Sequence, residues 1–158
     1  MIALYPIEQK DIVAIKKWPK YTGAHAQMDY AIRENGWMDC FCGVPNNYCF
    51  IAKIQKLRVG FSLLIHNGKQ DAEFRVAVHP DFVGSGYGKQ IIRKTLEIGF
   101  EKQGLNVINL IVRKNNSIAQ NLYLDFGFTQ QGEVNENIQG EDVEFFVMKI
   151  SKENFRGE

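Results

Sequence analysis

The sequence predicts an α/β fold built on a mixed central sheet. Three observations carry this. Strand-like and helix-like stretches alternate through the middle of the chain, the pattern of strands joined by crossover helices. A glycine-rich turn, Val83-Gly84-Ser85-Gly86-Tyr87-Gly88, lies between an apolar strand and an amphipathic helix. A chain of 158 residues with 45% hydrophobic content suffices for one full core but not for two ordinary domains, so residues 1–158 are expected to form one domain.

Each element follows from local pattern. Ile2–Tyr5 is a short apolar strand ending at Pro6, and Glu8–Lys17 carries Ile12, Val13 and Ile15 at helical intervals, stopping before Trp18-Pro19. Ala24–Asn35 is expected as a second helix closed by Gly36, within an aromatic, loop-rich stretch from Trp18 to Asn47. Tyr48–Ile54 and Val59–Ile65 read as strands joined through Gln55–Arg58, with Asn67-Gly68 making the next turn before the strand Glu73–His79. Lys89–Gln103 has a broad apolar face through Ile91, Ile92, Leu96 and Phe100, with Gly104 as its stop. Val107–Val112, apolar but for Asn109, is expected as a strand buried on both faces. Ser117 is the expected cap of the helix Ile118–Phe126, closed by Gly127, and the strands Phe128–Val134 and Val143–Ile150 flank a hairpin with Gly140 at its tip.

The glycine run is the most specific motif. Glycine serves where the backbone takes conformations closed to other residues, or where a ligand approaches the main chain. At the mouth of a helix, unpaired N–H groups and the positive dipole end attract an anion, typically phosphate. A Walker A loop needs Gly, four residues, then Gly-Lys-Ser/Thr. Counting back from Gly88-Lys89 puts Val83 at the first glycine and Gln90 at the hydroxyl, so both positions fail. A dinucleotide fingerprint needs a third glycine where Lys89 stands, and it fails too.

The run resembles the acyl-CoA loop of the GNAT superfamily of CoA-dependent N-acyltransferases, usually Arg/Gln-x-x-Gly-x-Gly/Ala. Gly86 and Gly88 match, and Val83 replaces the leading Arg/Gln. Phe74–Phe82 reads like the family's strand and bend leading into that loop. Leu110–Ser117 and Ala119–Phe128 look like its second signature, a strand ending in Val-x-x-x-Asn followed by a helix ending in Leu-Tyr-x-x-x-Gly-Phe. The likeness covers roughly Glu73 to Phe128 in two blocks, in order. It implies a GNAT-like fold, in which two central parallel strands splay apart, flanked by helices, and the cofactor enters the gap.

By the same resemblance the co-substrate is acetyl-CoA, with no metal. Backbone N–H groups of Val83, Gly84, Ser85, Gly86, Tyr87 and Gly88 would hold its pyrophosphate, with Lys89 and Arg93, one helical turn apart, either adding charge or lining a solvated helix face. Main-chain groups of Val76 and Val78 would pair with the pantetheine arm as if it were another strand. Asn116 matches the asparagine that binds the CoA arm; a plain helix-terminus role is its alternative. Tyr123 stands where many members place a tyrosine that protonates the leaving sulfur, against the alternative of a core tyrosine between Leu122 and Phe126. Ribosomal-protein N-terminal acetyltransferases of the superfamily often carry a glutamate where this chain has Ile111. Glu73 is the nearest remaining carboxylate for a base, with a strand charge paired to Arg75, or water as base, as alternatives.

Acyl transfer from a thioester to an amine needs a neutral acceptor, a stabilised oxyanion and a protonated leaving group. It needs no covalent nucleophile, so Cys40, Cys42 and Cys49 have no catalytic part. Their odd number argues for a reducing, cytoplasmic setting, and the Cys40–Cys42 spacing is not that of a zinc site. Trp18, Tyr21, Tyr30, Trp37 and Phe41, interleaved with Asp29, Glu34 and Asp39, suit a cationic small-molecule or peptide amine, as does the acidic stretch Glu133–Glu144. A net charge of +1 gives no case for nucleic acid, and no apolar run reaches membrane length; a homodimer stays open. Two other readings remain: a non-catalytic acyl-CoA sensor on the same fold, and a toxin acetylating charged tRNA, which would need a basic face.

Overall fold

The computed structural model describes residues 1–156. Seven strands form one mixed sheet, in the hydrogen-bonded order β1-β2-β3-β4-β5-β7-β6, flanked by helices, and the chain divides into two compact units.

The first unit comprises Met1–Ile65 and Arg75–Thr95. Strand β1 (Ala3–Pro6) pairs antiparallel with β2 (Asn47–Ile54), and β2 with β3 (Leu57–His66). Helix α1 (Gln9–Lys16) opens with a reciprocal cap between Glu8 and Asp11. Asp11 is 1% exposed and lies 2.8 Å from Arg58 and 3.6 Å from Lys53, so the cap also ties α1 to the β2–β3 hairpin. The segment expected as a regular helix is instead a 3-10 helix, Gly23–Ile32, and Gly36 starts the short α2 (Trp37–Phe41) rather than ending its predecessor. A Cβ on Gly36 would lie 2.5 Å from the carbonyl oxygens of Tyr30 and Ala31, so the chain folds back there too tightly for any side chain. The core gathers Ile15, Trp18, Ile32, Met38, Phe61 and Leu63, and a second cluster joins Ile2, Ala52, Val59 and Ile91. Strand β4 (Asp71–Val78) feeds this unit from Arg75 onward, followed by a 3-10 turn (Pro80–Phe82) and α3 (Tyr87–Glu97).

The second unit comprises His66–Phe74 and the chain from Leu96 onward. The helix expected to run regularly to Gln103 widens into a π turn over Ile98–Lys102, closed by Gln103 N–H on the Ile98 carbonyl at 3.0 Å. Strand β5 (Val107–Arg113) is not buried on both faces as expected: Ile108, Leu110 and Val112 are buried and the residues between them half-buried. It runs parallel to β4 from Asp71↔Val107 to Glu73↔Asn109, where the pairing stops although β5 continues against β7 (Glu141–Ser151) as far as Arg113↔Phe145. Helix α4 (Ser117–Phe126) is capped by Asn116, whose side chain accepts from Ala119 N–H, and not by Ser117. β6 (Thr129–Ile138) and β7 outrun the expected hairpin, turning on Gln139 and Gly140 at φ +52° and +87°. Among the described residues no helix is long and apolar enough to cross a membrane.

Candidate active site

In the first unit the helix after the glycine run starts at Tyr87, two residues before the expected Lys89. Tyr87, Gly88 and Lys89 are therefore its first turn, where N–H groups have no carbonyl one turn back. Gly84 and Gly86 take φ +88° and +84°, the left-handed region that favours glycine, and no atom lies within 4 Å of where a Cβ would stand on either. The space beside the loop is open to a ligand. Ser85 turns inward, its N–H and hydroxyl both donating to the Phe82 carbonyl. Val83 packs against the core cluster around Phe61, so the residue that departs from the family pattern anchors the loop by apolar contact. Lys89 is exposed, and Arg93 Nε is buried without a hydrogen-bond partner.

The strand leading into the loop presents one polar edge. His79 N–H donates to the Val59 carbonyl at 2.8 Å, towards β3. The two polar groups of a trans peptide point in opposite directions, so the Val78 carbonyl faces away from β3. Main-chain groups alternate sides along a strand, so those of Val76 face the same way as those of Val78. The side chains of Val76 and Val78 pack on the cluster of Ala52 and Ile91, leaving their backbone for function.

The group that meets this edge is Tyr21, read from the sequence only as one of the acceptor aromatics, and no spacing announces its contact across 57 positions. Tyr21 donates its hydroxyl to the Val78 carbonyl at 2.5 Å. Tyr21 N–H donates to Asp29 Oδ1 at 3.1 Å, and Arg33 bonds both oxygens of Asp29 and the carbonyls of Lys16, Trp18 and Pro19. Burial raises the Tyr21 hydroxyl well above the ordinary tyrosine range, so it stays a donor.

The second unit holds the remaining site residues. Glu73 is half-buried on β4, in register with Asn109 of β5, whose side chain donates to the Ala72 carbonyl at 3.2 Å. Asn116 spends its side-chain carbonyl oxygen on the α4 cap, accepting from Ala119 N–H. Tyr123 lies edge-on to Phe128, ring centroids 5.5 Å apart, and burial raises its hydroxyl above the ordinary tyrosine range.

The residues expected to receive a cationic acceptor are partly committed elsewhere. Trp18 and Tyr21 belong to the core. Asp29 pairs with Arg33 at 2.8 Å and Asp39 with Lys16 at 2.6 Å. The Arg75 guanidinium covers the rings of Trp37 and Phe41, at 5.1 and 4.5 Å from their centroids. In the second unit Lys114 bridges Glu133 and Glu144, while Glu136, Glu141 and Asp142 stand exposed on the hairpin.

Comparison with known proteins finds relatives by sequence and by fold. The chain is 31% identical over 78 residues to a spermidine N(1)-acetyltransferase of Vibrio cholerae, covering 49% of this chain and 41% of that one. A [ribosomal protein bS18]-alanine N-acetyltransferase of Haemophilus ducreyi is 37% identical over 57 residues, 36% of this chain and 39% of the other. These matches thus span only about two fifths of the relatives' own length. Among solved structures, a chimera of the Vibrio cholerae spermidine N-acetyltransferase and hSSAT superposes with TM-score 0.78 at 24% identity, covering 96% of each chain. The Vibrio cholerae enzyme in complex with CoA and spermine gives TM-score 0.73 at 21% identity, over 97% of this chain and 96% of that one. The likeness of fold extends well beyond the segments alike in sequence, and since the family model covers residues 11–128, from α1 to the end of the second signature, the chain belongs to the Acetyltransferase (GNAT) family.

Proposed function

We propose that the chain is an N-acetyltransferase that moves the acetyl group of acetyl-CoA to a primary amine by direct attack. One observation carries this reading: a loop opened by Gly84 and Gly86 delivers the free N–H groups of Tyr87, Gly88 and Lys89 directly after a strand whose Val76 and Val78 backbone faces away from β3. A pyrophosphate joined to an amide-bearing arm matches that pairing of anion cradle and strand edge. Family membership supports the same chemistry.

In this reading the amine nitrogen attacks the thioester carbonyl, the tetrahedral intermediate collapses, and the carbon–sulfur bond breaks. Tyr123 gives its proton to the departing sulfur; a hydroxyl held protonated by burial suits a donor at neutral pH. The proton leaving the amine passes to Glu73 or to water. Asn116 would contribute its amide nitrogen to the CoA arm, since its oxygen serves the helix. For the acceptor we propose a cationic amine of the polyamine class. The names of the Vibrio cholerae relatives support it, as do the exposed carboxylates of the β6–β7 hairpin.

The test is a screen of spermidine, spermine, peptide amines and anionic amines with acetyl-CoA, reading free thiol. Release with a cationic amine supports the reading. CoA binding without release for any acceptor would favour the sensor.

A further inference from the structure

We propose that Tyr21 is a positioning residue for the acyl donor, holding the Val78 carbonyl for an amide N–H of the donor's arm. The inference rests on the reading of β4 as the strand edge that the arm pairs with. Tyr21 packs in the same core cluster as Ala77, whose side chain points to the face of the sheet opposite those of Val76 and Val78. Its hydroxyl therefore reaches the Val78 oxygen from the Ala77 face. A carbonyl oxygen has two lone pairs. The one along the strand-pairing direction, away from β3, is left for a partner that lies beside β4 as a strand would.

The surroundings give Tyr21 little freedom. It is 6% exposed, its N–H is fixed on Asp29, and Arg33 ties Asp29 to the carbonyls of Lys16, Trp18 and Pro19. A donor held rigidly on one lone pair fixes the carbonyl's direction and polarises it for a second bond. A hydroxyl present only to satisfy a buried carbonyl would leave donor affinity untouched when replaced. The distinction is measurable.

Calorimetric titration of Tyr21→Phe should show CoA bound about three- to tenfold more weakly than by wild type, the worth of one hydrogen bond. Adenosine bisphosphate, the nucleotide half without the arm, should bind both proteins within a factor of about two, since no such bond is involved. Ile32→Val, a core substitution in the same cluster, should lower the melting temperature and leave both affinities unchanged. Asp29→Asn, which slackens the anchor of Tyr21, should repeat the selective loss of CoA in weaker form and serves if Tyr21→Phe does not fold. Unchanged CoA binding by Tyr21→Phe, or equal loss of both ligands, overturns the proposal while leaving the acetyltransferase reading intact. A wild-type protein that binds neither ligand removes that reading, and this proposal with it.

Discussion

Replacing Gly86 by valine tests the cofactor loop, because two effects that usually mix can be separated there. At φ +84° a side chain brings the backbone strain of the left-handed region, about 1–2 kcal/mol for an L-residue and more for a β-branched one. No clash adds to this, since nothing lies within 4 Å of the new Cβ. In a chain of this size each kcal/mol shifts the melting temperature by about 2–4 °C, so the unliganded variant should melt roughly 2–8 °C lower. Gly140, at φ +87° and equally uncrowded on the hairpin tip, carries the same strain without the ligand site. Gly140→Val should therefore lose a similar amount of stability. With CoA at a hundredfold excess over its Kd, wild type gains about 2.7 kcal/mol, roughly 5–11 °C. Gly140→Val should keep that gain and Gly86→Val should lose it, because the isopropyl group fills the space through which phosphates reach the N–H groups of α3. Thermal melts with and without CoA decide the matter. An equal CoA shift in Gly86→Val and wild type would place the anion elsewhere and refute the argument.

Tyr123→Phe should lower kcat about a hundredfold with CoA affinity preserved, and a fall of less than about threefold would make Tyr123 a packing residue only. Because burial raises the Tyr123 hydroxyl above its ordinary value of 10.0, the protonated form persists and kcat should not decline on the alkaline side below about pH 10; a decline centred near pH 8 would point to another acid. Neutralising Glu141 and Asp142 together should raise the KM of a cationic acceptor with little change in kcat, and should flatten the salt dependence of kcat/KM. Equal KM and equal salt response would leave the hairpin a solvated turn. Arg33 holds the Asp29 carboxyl below its ordinary value of 3.8, so stability from that pair is present above that pH and lost as pH falls through the lower folded value. Asp29→Asn should thus cost about 1 kcal/mol at neutral pH, with the gap to wild type closing below about pH 4; a gap independent of pH would deny the ion pair.

What the chain reveals by reading is what is decided locally. The glycines at 84, 86, 104, 127 and 140 each take positive φ, and each stands where a turn or helix end was expected from spacing alone. The strands β2 to β5 and both signature helices were legible because period and punctuation agree in them. The segment from Trp18 to Phe41 was not, and the reason is physical. A 3-10 helix and a five-residue helix carry too few turns to leave a period, and their geometry is set by Gly36 closing on Tyr30 and Ala31 and by Arg33 gathering distant carbonyls. The π turn at Ile98 leaves no signature either, since one widened turn keeps the apolar face nearly in place. At the α4 terminus, Asn116 and Ser117 are both good caps, and only the backbone decides that Asn116 takes the position.

The same division separates the two kinds of site the sequence suggests, one for the donor and one for the acceptor. A phosphate cradle is made of backbone, so its requirements can be written in closely spaced glycines, and Val83, where the family pattern has Arg/Gln, serves here as an apolar anchor. A site for a cation is made of side-chain charge, and its strength depends on what each carboxylate already touches. Asp29 and Asp39 looked like acceptor-binding groups in the sequence, yet Arg33 and Lys16 occupy them, and the rings of Trp37 and Phe41 already carry Arg75. Pairing of this kind joins residues far apart in sequence, as Arg75 and Trp37 are, and nothing in the spacing announces it. If the acceptor is the cationic amine proposed, its attraction should rest on carboxylates outside these pairs, and the exposed trio Glu136, Glu141 and Asp142 is where its salt dependence should be sought.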